Sequence, residues 1–240
     1  MKILLIGYGK MGKAIERLAT ERGHEVVGKI DDSNPELLLN IPVERVDVAI
    51  EFTRPEAAFK NITTCLERGI KVISGTTGWL DRFDEIREKT GTHNGTFLYA
   101  SNFSLGVNLF FALNKQLAQL MAGYDLYKPM MEEIHHTQKL DAPSGTAITL
   151  AEGLIANHPG KKQWVNEASE QPEALSIISK RIDKVPGTHS VTYQSDMDEI
   201  KIEHTAHTRD SFAVGAIVVA DWIKDKVGFL TIEDFLRIGK

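Results

Sequence analysis

The chain has 240 residues, of which 42% are hydrophobic and 25% charged, with a formal net charge of −5. That length supports a sizeable core as one large domain or two smaller ones, and the acidic balance gives no electrostatic support for a nucleic-acid partner. Cys65 is the only cysteine, which excludes an intrachain disulfide and suits a reducing, cytoplasmic setting.

The chain opens on KILLIG, a short apolar run of the kind expected for a strand buried on both faces. A glycine ends the run too soon for a signal-peptide core or a bilayer span, so no membrane segment is expected. Gly12 to Arg22 reads as a helix with Ala14, Ile15, Leu18 and Ala19 as its apolar stripe. HEVVGKIDD is a second strand, Val46–Thr53 a third, IKVISGTTG a fourth and TFLYASNFS a fifth. A helix from Pro55 to Arg68 separates the third from the fourth. This alternation predicts an α/β, Rossmann-like parallel sheet.

The pattern changes near Asn102–Gly106, where a domain boundary is expected. Gly106–Ala122 reads as a longer amphipathic helix, Pro129–Thr137 as a strand and Thr146–Ala156 as a helix. Ala174–His207 is mostly strand-like, with a hairpin around the polar Ser195–Asp198 turn, and Ser211–Lys226 closes as a helix. Long β segments without intervening helices predict a smaller α+β domain with a mixed or antiparallel sheet.

The first strand runs into GYGKMG, which places Gly7, Gly9 and Gly12 between a buried strand and a helix start. In that setting G-x-G-x-x-G signals a dinucleotide. Gly7 allows the tight turn, Gly9 the approach of a pyrophosphate to the backbone, and Gly12 close helix–strand packing. The helix N-terminus adds free N–H groups for the anion. Asp31 or Asp32, ending the next strand, would accept hydrogen bonds from the adenosine ribose hydroxyls. Two adjacent carboxylates repel a 2′-phosphate, which predicts NADH as the preferred cofactor over NADPH. Lys10, inside the loop, pulls the other way. EFTRP, which carries Phe52, and GTTG (Gly75–Gly78) follow strands, where an open α/β sheet binds its ligands.

The stretch EEIHHTQKLDAPSGTA, from Glu132 to Ala147, gathers proton-handling groups before a helix start. His135 and His136 face opposite sides of a strand, so both serve one site only if the strand ends near Ile134 and the chain turns. Pro143 sets up a helix start, with Asp141 or Ser144 as N-cap. The amides of Gly145 and Thr146 then point out of the helix N-terminus as a carboxylate site. His135 has the ordinary pKa range of a proton shuttle, and Lys139 adds a positive charge. His204 and His207 complete no known metal spacing with these histidines, so no metal is expected.

HHTQKLDAPSGTA resembles the signature of the dihydrodipicolinate reductase (4-hydroxy-tetrahydrodipicolinate reductase) family. GKMG, EFTRPE, GTTG, ASNFSLGVN and HTRDSFAVGA extend the resemblance over most of the chain, in the family's order. The resemblance implies NADH- or NADPH-dependent reduction of a cyclic dicarboxylic substrate to tetrahydrodipicolinate, with loss of water. By it, His135 matches the acid/base histidine and Lys139 the proton-donating lysine. His136, Gly145 and Thr146 match substrate contacts. Gly7, Tyr8, Gly9, Lys10, Met11 and Gly12 match dinucleotide contacts, as do Gly75, Thr76, Thr77, Ala100, Ser101, Asn102 and Phe103; Phe52, in EFTRP, is taken as a further cofactor contact. It also implies a homotetramer built through the second domain's sheets, and a discontinuous nucleotide domain of residues 1–104 and 213–240 around a substrate domain of 105–212. The chain departs from many members at Asp31-Asp32, where an acid is often paired with a base, and in a shorter Asp32–Val46 segment. Another amino- or imino-acid dehydrogenase and a non-catalytic dinucleotide sensor also fit the glycine loop, but neither needs His-His-x-x-Lys.

Overall fold

The opening run forms strand β1 (Lys2–Ile6), with its last four residues buried. The computed structural model describes residues 1–208 and 210–237. Arg209, within HTRDSFAVGA, and residues 238–240 of the expected second nucleotide segment lie outside the described residues.

After β1 come α1 (Lys10–Glu21), β2 (Glu25–Ile30), α2 (Leu37–Asn40), β3 (Val48–Glu51) and α3 (Pro55–Glu67). They are followed by β4 (Val72–Ser74), α4 (Phe83–Thr92) and β5 (Thr96–Tyr99). The chain continues through α5 (Leu105–Met121), β6 (Lys128–His135), α6 (Gly145–Ile155) and β7 (Gln163–Val165). The long strands β8 (Ala174–Arg181), β9 (Gly187–Gln194) and β10 (Glu199–Ala206) come next, then α7 (Asp210–Ile223), β11 (Gly228–Leu230) and α8 (Ile232–Leu236). The strands of the first half are shorter than the sequence runs, because their polar ends leave the ladder. Helices α2, α4 and α8 and strands β7 and β11 are additions to the sequence reading.

The chain divides into two units, one made of Met1–Leu105 with the chain from Asp210 onward, the other beginning at Gly106. In the first unit six parallel strands run in the order β11-β5-β4-β3-β1-β2. Side chains alternate across the sheet, so each apolar run feeds two cores. Ile3, Leu5 and Ile50 pack on one face against Ile15 and Leu18 of α1 and Ala216 and Ala220 of α7. Leu4, Ile6 and Ala49 pack on the other against Ile62 and Leu66 of α3 and Ile86 of α4. Each fully buried leucine or isoleucine contributes roughly 1.5–3 kcal/mol relative to exposure. The strand order reverses between β1 and β3, and such a switch point opens a crevice at the carboxyl ends of the strands.

The second unit holds a five-stranded sheet of order β10-β9-β6-β8-β7. It is mixed: β6 runs antiparallel to β9 and parallel to β8. Met131, Leu175, Ile177 and Val191 on one face pack with Leu150, Ala151 and Leu154 of α6. The hairpin at Ser195–Asp198 joins β9 to β10 in register from Gln194↔Glu199 to Gly187↔Ala206. Among the described residues no helix is long and apolar enough to cross a membrane.

Candidate active site

The glycine loop leaves β1 at the switch point. Gly7 has φ of +96°, and a Cβ there would lie 1.9 Å from the Phe52 carbonyl oxygen. A Cβ on Gly12 would lie 2.2 Å from the Gly7 carbonyl oxygen. Both glycines are therefore required by the fold itself. Gly9, the N-cap of α1, has nothing within 4 Å of such a Cβ, so its backbone faces open space. A cavity of about 750 Å³ opens there, lined by Gly7, Tyr8, Gly9, Asp31, Asp32 and Phe52 together with Thr53 and Arg54. A bare helix N-terminus beside two carboxylates fits a pyridine dinucleotide.

The acidic pair is already engaged. Asp31 Oδ1 accepts from Ser33 Oγ at 2.6 Å and from the Ser33 N–H at 2.8 Å, which holds its carboxyl below the usual range. Asp32 pairs with Arg54, Oδ1 to Nη2 at 2.8 Å. Tyr8 donates to Glu16, and the Lys29 ammonium lies 4.8 Å from the Tyr8 ring centroid while pairing with Glu16 at 2.5 Å.

The remaining dinucleotide candidates differ in exposure. Lys10 is exposed at the start of α1 and outside the cavity lining. Thr77 and Ser101 are exposed on the loops after β4 and β5. Ala100 and Phe103 instead bury their side chains in the core under α1 and α7, and Met11 packs partly against it. Phe52 joins these loops: its Cε1 occupies the space a Cβ on Gly75 would need, at 2.1 Å, and its ring meets Phe103 edge-on at 5.7 Å. Thr76 is buried and donates its hydroxyl to Glu51. Asn102 Oδ1 accepts from the Ser104 N–H at 2.8 Å.

Glu51, the first residue of EFTRP, carries no role of its own in the sequence reading. It is fully buried at the end of β3 and accepts hydrogen bonds from Ser74 Oγ at 2.5 Å, Thr76 Oγ1 at 3.0 Å, the Thr53 N–H at 3.1 Å and the Thr53 hydroxyl. Burial pushes its carboxyl up, against the pull of those donors. One carboxylate thereby ties the loop after β3 to the loop after β4.

In the second unit β6 ends at His135, and His136 lies in the turn beyond it. The Lys139 N–H donates to the His136 carbonyl at 3.1 Å, so the chain folds back at once. Lys139 Nζ lies 2.8 Å from both oxygens of Asp141. Of the two N-cap candidates, Ser144 takes the role: its Oγ accepts from the Ala147 N–H at 3.2 Å, and α6 begins at Gly145. Asp141 is the partner of Lys139 instead. Among the described residues no protein acceptor takes the N–H of Gly145 or Thr146, and a Cβ on Gly145 would meet nothing within 4 Å.

Beneath this turn His135 joins a polar cluster whose other members, Glu133, Arg181 and His189, have no role in the sequence reading. Glu133, fully buried on β6, receives the Ser144 N–H at 3.0 Å and Arg181 Nη2 at 3.2 Å. His135 Nδ1 is 3.5 Å and His189 Nε2 3.7 Å from Glu133 Oε2. Burial raises the Glu133 carboxyl, but contacts with His189 and Ser144 outweigh it and hold the pKa well below the usual range. Burial first, then His189, pushes His135 down to about 4 against the opposing pull of Glu133. Glu133, His135 and His189 are close enough to hold a cation. Arg181 and the Ser144 amide already contact the two carboxylate oxygens, so the carboxylate is engaged within the protein. Glu133 was legible from strand alternation, two residues before His135; His189 and Arg181 arrive only through sheet pairing.

A switch-point dinucleotide cavity on a parallel sheet, with a separate unit carrying histidine, lysine and a bare helix N-terminus, defines a two-domain NAD(P)H-dependent oxidoreductase. Residues 1–103 match the family model described as Dihydrodipicolinate reductase, N-terminus, and residues 106–236 match Dihydrodipicolinate reductase, C-terminus. The chain belongs to the dihydrodipicolinate reductase family. The 4-hydroxy-tetrahydrodipicolinate reductase of Christiangramia forsetii is 50% identical over 236 residues, covering 98% of each chain. That of Archaeoglobus fulgidus is 33% identical, covering 95% of this chain and 96% of its own. Among solved structures, the dipicolinate-bound dihydrodipicolinate reductase from Paenisporosarcina sp. TG-14 shares the fold, with a TM-score of 0.76 at 22% identity over 96% of this chain and 97% of that one.

Proposed function

We propose that the chain is a 4-hydroxy-tetrahydrodipicolinate reductase. It reduces 4-hydroxy-tetrahydrodipicolinate to tetrahydrodipicolinate with loss of water, using NAD(P)H, in the diaminopimelate route of lysine biosynthesis. The observation that carries this reading is the fold-back of HHTQKLDAPSGTA straight after β6, with the Lys139 N–H on the His136 carbonyl, into a helix that starts at Gly145, where a Cβ would meet nothing within 4 Å.

When bound, NAD(P)H supplies the hydride. The Gly9 backbone and the start of α1 hold its pyrophosphate, and Asp31 or Asp32 its adenosine ribose. Lys10, Thr77 and Ser101 serve as side-chain contacts, and Met11, Ala100 and Phe103 as backbone contacts. The substrate is a dicarboxylate, and the N–H groups of Gly145 and Thr146 with His136 bind a carboxylate. Lys139, as an ammonium, delivers the proton that balances the hydride. His135, neutral at pH 7 because its pKa lies at about 4, accepts and relays a proton rather than starting as the acid.

Finer assignments rest on the same reading. NADH is preferred to NADPH because two carboxylates face the adenosine end of the cavity. Residues 1–104 with 213–240 serve the dinucleotide, and 105–212 the substrate and oligomerisation. The working form is a cytoplasmic homotetramer joined through the sheets of the second unit. Absorbance at 340 nm, followed with freshly generated 4-hydroxy-tetrahydrodipicolinate and either cofactor, tests the activity. Rapid oxidation is expected, faster with NADH at subsaturating cofactor. No oxidation by folded protein that binds NADH would overturn the assignment.

A further inference from the structure

A buried carboxylate costs several kcal/mol unless the geometry around it compensates. Glu133 is fully buried, and apart from Ser179 beside it on β8 its partners belong to the turn after β6 or contact it. Arg181 spans the turn: while its Nη2 contacts Glu133 Oε1, the same nitrogen donates to the Asp141 carbonyl at 2.6 Å, and its Nε donates to the Lys139 carbonyl at 3.3 Å. Ser144 closes the far end. Its N–H meets Glu133 Oε2, and its Oγ lies 3.1 Å from His189 Nε2 while capping α6. His135 shares strand β6 with Glu133, two residues on and therefore on the same face. Its Nδ1 lies 3.5 Å from the carboxylate, at ion-pair distance but without full hydrogen-bond geometry. On its other side, a Cβ on Gly187 would lie 3.2 Å from His135 Nε2, so glycine at that position leaves the second nitrogen room.

Building on the reductase reading above, we infer that Glu133 is a positioning residue for the reaction: it fixes His135 as the Nδ1–H tautomer, with Nε2 available, and locks the Lys139–Ser144 turn through Arg181 and the Ser144 amide. A carboxylate behind a metal-ligating histidine sets ring orientation and basicity in this way, and there losing such a partner typically costs about 10–100-fold. The charged and titratable groups facing His135 are Glu133 on its own strand, His189 from β9, Arg181 from β8 and Lys139 from the turn. Of these only Glu133 favours the protonated ring.

The test compares the full-length wild type with Glu133→Gln and Glu133→Asp. Imidazole nitrogen NMR of the wild type, without substrate, should show His135 protonated at Nδ1. In Glu133→Gln the His135 midpoint should move further down, kcat should fall about 10–100-fold, and NADH affinity should stay unchanged. Glu133→Asp should recover part of kcat and of the His135 midpoint, which a merely structural role would not restore. An Nε2–H tautomer in the wild type, or a folded Glu133→Gln enzyme with wild-type kcat and His135 titration, would overturn the inference. The tautomer needs neither a variant nor a substrate, so it stands apart from the turnover assay that tests the reductase reading.

Discussion

Asp32 and Arg54 meet at the rim of the nucleotide cavity, Oδ1 to Nη2 at 2.8 Å, with 82% and 61% of their side chains exposed. An ion pair this open contributes about 0–1 kcal/mol to stability, so it can be broken without loss of fold. Its importance is electrostatic: Asp32 neutralises Arg54, the one guanidinium lining the cavity among the described residues. Asp32→Asn is expected to leave Tm nearly unchanged and to shift the NADPH/NADH affinity ratio toward NADPH by roughly five- to tenfold, on the order of 1 kcal/mol for a charge pair about 4 Å apart in water. Fluorescence titration with both cofactors reads this ratio. No change would remove Asp32 from cofactor discrimination.

Gly9 and Gly12 separate binding from folding. Gly9→Ala adds a methyl where nothing lies within 4 Å, so stability should stay within about 0.5 kcal/mol while NADH affinity falls. Gly12→Ala places a methyl 2.2 Å from the Gly7 carbonyl oxygen. That overpacking should cost about 1–3 kcal/mol, lowering Tm by roughly 2–4 °C per kcal/mol. Thermal melts of the two apo variants with equal Tm would contradict this division.

Acid sensitivity should carry the mark of His135. Its pKa is about 4 in the folded chain against 6.5 for the free side chain. Between those values the unfolded state binds more protons, so stability declines as pH falls from about 6.5 to about 4. Glu133, whose pKa is depressed, adds its loss only below its ordinary value of 4.5. Urea midpoints at pH 7, 5.5 and 4.5 should therefore drop in the wild type and drop less in His135→Gln. Parallel profiles would place the titrating group elsewhere.

Lys139 and Gly145 should split kcat from KM. Lys139→Ala is expected to lose about 10²–10⁴ in kcat, the range for one general acid–base group, and to bind NADH normally. Gly145→Val fills open space before the first amides of α6, so it should fold normally and raise KM for the dicarboxylate. A Lys139→Ala enzyme with wild-type kcat would reassign the proton donor, and an unaltered KM in Gly145→Val would remove the carboxylate cradle.

What the sequence made legible follows where the physics is local. KILLI reads as a buried strand because nearly every residue is apolar, and GYGKMG reads as a dinucleotide loop because it follows such a strand. β11 escapes notice because it has three residues, all only half-buried, and owes its strand state to pairing with β5. α4 escapes because GTHNG at its end reads as turn chemistry and only Ile86 and Thr90 are buried. In the site, the turn after His135 was legible from Asp-Ala-Pro-Ser-Gly. His189 and Arg181 were not, because they reach Glu133 from β9 and β8, and only register fixes that.

Helix α7 and strand β11 complete the first unit from far along the chain. During synthesis, the segment through Leu105 emerges about 100 residues before α7. At about 5–20 residues per second, that is a wait of roughly 5–20 s. Throughout it, β5 presents an unpaired edge, and Ile3, Leu5 and Ile50 lack the helix that later covers them. The nascent nucleotide-binding half is thus exposed to edge-to-edge association on the ribosome, and its sheet is completed only after the second unit has been made.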